Sequence, residues 1–86
     1  MKGFETTLHF EFKDEKTAQS VNNALLPDNV KIPSGMKIAQ IRNGSSLEIN
    51  IMADDSVSFE TLISTIDEFV SHVSAVTQTI DRLDAL

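Results

Sequence analysis

Eighty-six residues support one domain spanning 1–86, with a core thin enough that the chain is marginal alone. No cysteine is present, so disulfide frameworks and thiolate metal sites are excluded, and no apolar run reaches the roughly 18 residues of a membrane span. The net charge of −6 lies wholly in the last third: residues 1–52 carry six acidic and six basic side chains, and residues 53–86 carry seven acidic ones and Arg82.

That balance argues against a dedicated nucleic-acid binder, which needs a basic patch. Lys2, Lys13, Lys16, Lys31, Lys37 and Arg42 offer only weak contact with RNA. The opening "MKGFETTLHF" lacks the continuous apolar region of a signal peptide, and the chain reads as soluble and cytoplasmic.

Residues 4–12, "FETTLHFEF", alternate. Phe4, Thr6, Leu8, Phe10 and Phe12 point one way, and Glu5, Thr7, His9 and Glu11 the other, the pattern of a half-buried strand. "KDEKTAQSVNNALLPDN" then changes period. Asp14 is the expected N-cap with Glu15 in the first turn, and Ala18, Val21 and Leu25 form one face of a helix of about three turns that ends before Pro27. Residues 27–35 hold both prolines and a glycine and read as a loop.

"MKIAQIRNGSSLEINIMA" reads as a hairpin. Asn43-Gly44 suits a type I′ turn, because both central residues there need φ > 0. The implied register sets Gln40 opposite Leu47, Ile38 opposite Ile49 and Met36 opposite Ile51, with Lys37 diagonal to Glu48.

After "DDSVSFE", where Ser56 or Ser58 is the N-cap, come Phe59, Leu62, Ile66, Phe69, Val73, Val76, Ile80 and Leu83. This is an uninterrupted heptad seam, with Ile63, Val70 and Thr77 as a flanking row.

The order strand, helix, strand, strand, long helix predicts an α+β fold, β-α-β-β-α, with a three-stranded sheet in the order 1-3-2 and both helices on one face. The final helix, about 28 residues and roughly 42 Å long, exceeds a nine-residue strand of about 30 Å. The last turns, near Val76, Ile80 and Leu83, are therefore expected to overhang. Strands one and two expose edges that other chains can pair with. Leu62, Ile66, Phe69, Val73, Val76, Ile80 and Leu83 are the candidate partner-helix interface. The alternative is that this seam packs on the chain's own sheet.

Catalytic chemistry is not written in the sequence. His9 and His72 fall on different elements and faces, Asp54-Asp55 precede a helix start, and there is no P-loop, GxGxxG or glycine-framed nucleophile. No enzyme activity and no cofactor are expected.

Taken in order, the alternating first strand, "KTAQSVNNALLPDN", the hairpin ending "LEINIMADD" and the long last helix resemble the small dimerisation subunit of the KEOPS complex, the Pcc family, over nearly the whole chain. The resemblance implies a non-catalytic scaffold subunit supporting threonylcarbamoyladenosine (t6A) modification of tRNA. Such a subunit dimerises by extending its sheet, with itself or a related small subunit, and grips helices of the catalytic ATP-binding subunit.

One stretch departs from the family. "FETLISTIDEF" has Glu60 and Glu68 where family members carry arginines, and Ser64-Thr65 where they carry Asn-Ser. The reversal weakens the case for direct tRNA contact and resembles a divergent, more acidic paralogue known in archaea. Two other classes stand beside this reading, a small RNA-binding domain and a helical assembly module unrelated to KEOPS.

Overall fold

The computed structural model describes residues 3–26 and 32–84. Its elements are β1 (Phe4–Glu11), α1 (Glu15–Ala24), β2 (Met36–Asn43), β3 (Ser46–Ala53) and α2 (Phe59–Asp84). Pro27 and much of the expected 27–35 loop lie outside the described residues. The sheet order is β1-β3-β2 and both pairings are antiparallel, so the two edge strands run in the same direction, as the crossover through α1 requires. Both helices cover one face. Among the described residues no helix is long and apolar enough to cross a membrane.

The hairpin register differs from the expectation by two residues. Asn43 pairs with Ser46, so the turn residues are Gly44 and Ser45. Gly44 has φ +63°, and no other hairpin residue has positive φ. A glycine at the first central position alone is the type II′ arrangement, whereas the I′ turn would force positive φ on Asn43 as well. The observed register sets Gln40 opposite Ile49, Ile38 opposite Ile51 and Met36 opposite Ala53. A shift of two keeps every side chain on its expected face. It removes the expected Lys37–Glu48 diagonal: Lys37 stands opposite Met52, and Glu48 lies between Ile41 and His9.

Asp14 caps α1 from an extended conformation, its Oδ1 accepting the Thr17 N–H at 2.7 Å. Hydrogen bonding from Thr17 holds its carboxyl below the usual range. Of the two serines before α2, Ser58 is the cap: its Oγ accepts the Thr61 N–H at 3.1 Å. Ser56 instead donates its backbone N–H and its hydroxyl to Asp54 Oδ1.

The core lies between sheet and helices. Leu47, Ile49 and Ile51 of the central strand are fully buried against Val21 of α1, Leu25 at its C-cap, and Leu62, Phe69 and Val73 of α2. Each such side chain contributes about 1.5–3 kcal/mol of burial.

Polar pins fix each helix over its own side. Gln40 Nε2 donates to the carbonyl and side-chain oxygens of Asn22, at 3.2 and 2.9 Å, and Arg42 reaches Glu15 at 3.3 Å, seating α1 over β2. On the other side Phe59 packs on Phe4, with ring centroids 5.8 Å apart, and Lys13 pairs with Asp81 at 3.2 Å, so α2 runs along β1.

The overhang is shorter than expected. Val76 and Ile80 still pack against the core, as does Phe12, whose ring stacks on Phe10 and carries the apolar floor past the end of β1. Among the described residues of α2, the turn around Leu83, 62% exposed, is the part that projects.

Candidate partner-docking surface

The heptad seam divides once it is placed. Leu62, Phe69 and Val73 are core residues of the chain itself, which corrects the expectation that they form a free surface: the sheet already covers them. Ile66, Val76 and Ile80 are half-buried against the same core, and Leu83 is exposed.

The row beside the seam is the one left bare. Ile63 and Val70 are 42% and 45% exposed, and Phe59, the first residue of the seam, is bare beside them at 59%. Thr77 continues the row, its Oγ1 shielded from solvent yet without a hydrogen-bond partner among the described residues. Phe59 touches Phe4 of β1, and Asp81, one turn beyond Thr77, reaches Lys13. The bare row therefore faces the β1 edge, and strand and helix flank make one continuous surface.

Backbone polarity adds to that surface. The Phe12 N–H bonds Ser45 O at 2.9 Å across the β1–β3 pairing, so by strand alternation the even-numbered residues of β1 turn their N–H and C=O inward. Glu5, Thr7, His9 and Glu11 present theirs to the open edge. Among the described residues the β2 edge is likewise unpaired, but the helix above it shows Lys16, Gln19, Ser20 and Asn23, a polar face.

Open-face side chains along β1 are tied to β3. Glu11 accepts from Ser46 Oγ at 2.6 Å and from His9 Nε2 at 2.9 Å, while His9 Nδ1 lies 3.6 Å from Glu48. The hydrogen bond to Glu11, with Glu48 adding to it, raises the His9 imidazole above its ordinary value. Ser46 first and then His9 lower the Glu11 carboxyl. Asn50 Nδ2 donates to Glu5 at 3.1 Å and to Thr7 at 3.0 Å. Glu5 thus has a neutral partner, while His9 sits between two carboxylates.

Two concavities flank the N-terminal half of α2 and the end of the sheet. The first, of about 440 Å³, is lined by Pro33, Ser58, Glu60, Thr61, Ser64, Thr65 and Glu68. It gathers Glu60, Ser64, Thr65 and Glu68, with Glu60 and Glu68 both exposed on its rim. The second, of about 620 Å³, lies where β3 ends between the starts of β1 and β2. Gly3 on its wall has φ +115°, and a Cβ there would fall 2.0 Å from the Ala53 carbonyl oxygen, so no other residue fits.

His72 is exposed on α2, on the opposite layer from His9. Among the described residues no three metal-ligating side chains come together. What the geometry provides is a strand edge, an apolar flank and a carboxylate-rimmed groove.

A family model described as Transcription factor Pcc1 matches residues 5–81. No curated protein matches the sequence. A solved structure described as the crystal structure of the binary complex Gon7-Pcc1 superposes with a TM-score of 0.76 at 14% identity, covering 93% of this chain and 95% of that one. At that identity the likeness is one of fold.

Proposed function

We propose, from the premise that this chain belongs to the Pcc1 family, that it is a non-catalytic dimerisation and scaffold subunit of a KEOPS-type complex. The observation that carries the reading is the β1 edge, unpaired among the described residues and backed by the bare side chains Phe59, Ile63 and Val70. A free ladder beside an apolar helix flank suits strand addition, which extends a sheet and buries the flank in one step. The incoming strand belongs to a second small subunit, either another copy of this chain or a relative of the same fold. That the structurally similar chain is described as part of a binary complex supports this.

In this reading the helix layer docks helices of the catalytic ATP-binding subunit and so supports t6A modification of tRNA in the cytoplasm. Ile66, Val76 and Ile80, half-buried, and Leu83, exposed, supply the apolar part of that contact. Contact with tRNA is indirect, because Glu60 and Glu68 repel phosphate from the groove they rim.

Co-expression with the KEOPS catalytic subunit from the same source tests the reading. The two chains are expected to co-elute on a sizing column, and Leu83→Asp to weaken the pair. Separate elution would overturn it. The Glu60→Arg/Glu68→Arg variant is expected to raise tRNA affinity about tenfold at low salt by adding two phosphate contacts. An unchanged affinity would show that the groove lies away from the tRNA.

A further inference from the structure

We propose that Asn43 is a self-modification site. The Gly44 backbone nitrogen closes on the Asn43 side chain, ammonia leaves, and water opens the resulting succinimide to aspartate or isoaspartate at the hairpin tip. This goes beyond the scaffold reading and does not depend on it.

Several conditions for that chemistry meet at this dipeptide. Gly44 has no Cβ, and nothing lies within 4 Å of where one would stand, so its nitrogen is open to approach. Among the described residues the Asn43 side chain holds no hydrogen bond, and the Gly44 N–H meets no acceptor. Both residues are exposed to water. Arg42 Nη1 donates to the Gly44 carbonyl at 3.1 Å, so a positive charge stands beside the nitrogen that must give up its proton.

The turn leaves Asn43 free to react. Gly44 and Ser45 form it, so Asn43 supplies no left-handed position and keeps strand geometry as the last residue of β2. Its pair with Ser46 is the outermost of the ladder, and outermost pairs open first. Rotation of that one residue brings its Cγ to the glycine nitrogen.

The other asparagines are held. Asn22 and Asn23 lie inside α1, where the next N–H belongs to the helix ladder, and Asn22 Oδ1 accepts from Gln40 at 2.9 Å. Asn50 sits within the central strand, donates to Glu5 and Thr7, and is followed by the β-branched Ile51. Asn29 lies outside the described residues and is followed by the β-branched Val30.

The step balances without a redox partner. The Gly44 nitrogen loses its proton and bonds Asn43 Cγ, the Cγ–Nδ2 bond breaks, and Nδ2 leaves as ammonia. Water adding at Cγ restores the ordinary chain as aspartate. Water adding at the Asn43 backbone carbonyl carbon routes the chain through Cβ and Cγ as isoaspartate. The first product adds a carboxylate alone. The second also lengthens the main chain beside the turn, which breaks the Asn43–Ser46 closure and disturbs the Ser45 carbonyl that the Phe12 N–H bonds at 2.9 Å.

Ageing the full chain in warm buffer at pH 8 tests the proposal by mass spectrometry. Cutting after Arg42 and Glu48 releases residues 43–48, in which Asn43 is the asparagine. This peptide is expected to gain about 1 Da at least about tenfold faster than peptides carrying Asn22 or Asn50, whose reaction waits on opening of the helix or the central strand. The rate should rise with pH, because the attacking nitrogen is deprotonated. An isoaspartate-specific carboxyl methyltransferase should label the aged chain and leave Asn43→Gln unlabelled, since glutamine must close a less favourable six-membered ring. Loss of the tip closure is expected to lower the melting point of the isoaspartate form by about 4–8 °C, while Asn43→Asp, which adds the charge alone, melts as the fresh chain does. If residues 43–48 keep their mass as long as the Asn50 peptide does, the ladder protects Asn43 and the proposal is overturned. Undiminished methyl labelling of Asn43→Gln overturns it as well, by placing the isoaspartate elsewhere.

Discussion

Two rows of one helix carry the same kind of side chain at the same repeat and do opposite things. Leu62, Phe69 and Val73 are within 6% of full burial, while Ile63 and Val70, each one residue along from a seam position, are more than 40% exposed. A turn of 100° separates a residue that the sheet covers from one that the described residues leave largely open. Heptad spacing tells which residues share a stripe. It does not tell whether the stripe meets the chain's own sheet or another molecule. That answer comes from α2 lying along β1, with Phe59 on Phe4 at one end and Asp81 on Lys13 at the other.

The sharpest way to break the comparison is to mutate neighbours. Phe69→Ala removes one of the largest fully buried side chains and is expected to cost about 3–5 kcal/mol of unfolding free energy, read by urea titration. Val70→Asp, the next residue, is expected to leave unfolding within about 0.5 kcal/mol of the wild type and to weaken small-subunit pairing at least about tenfold. Should both variants lose stability equally, the flank is internal and the distinction falls.

Ser58→Ala sharpens it at the end that carries Phe59 and Ile63. Loss of the cap is expected to cost about 1 kcal/mol and to fray the first turn, so pairing should weaken without any change to an apolar residue.

The smallest effect is the pH dependence. Glu11, Asp14 and Asp54 have lowered values, so their contribution is complete above their unfolded values, 4.5 for Glu11 and 3.8 for the aspartates, and is lost as pH falls through the folded ones. His9 is raised, so its contribution is complete below 6.5 and disappears as pH rises through its higher folded value. Thermal melts from pH 6 to 9 should decline gently, and His9→Asn should remove that decline while leaving the acid limb in place.

Much of the fold was legible because local chemistry and global arrangement agree. The alternation from Phe4 to Phe12, the Asp14 cap and the helical period after Ser58 each specify one element, and the crossover through α1 leaves few topologies. The hairpin turn was not legible. Asn43-Gly44 and Gly44-Ser45 are both acceptable turn pairs, and a two-residue shift leaves every face as it was. The cover of the seam was hidden for the reason already given. Glu60 and Glu68 are legible in the sequence as two acidic residues eight apart, but only the fold brings Pro33 beside them and makes a groove of their surroundings.

The common direction of β1 and β2 has a consequence for how copies of the protein can stack. Stacking copies by translation would lay the β1 of one on the β2 of the next, strands running the same way, and such a chain of molecules would never close. Parallel ladders are the weaker kind per residue, while a two-fold meeting of like edges is antiparallel and ends after two copies. The topology thus biases a sticky sheet toward a finite pair and away from a growing fibre.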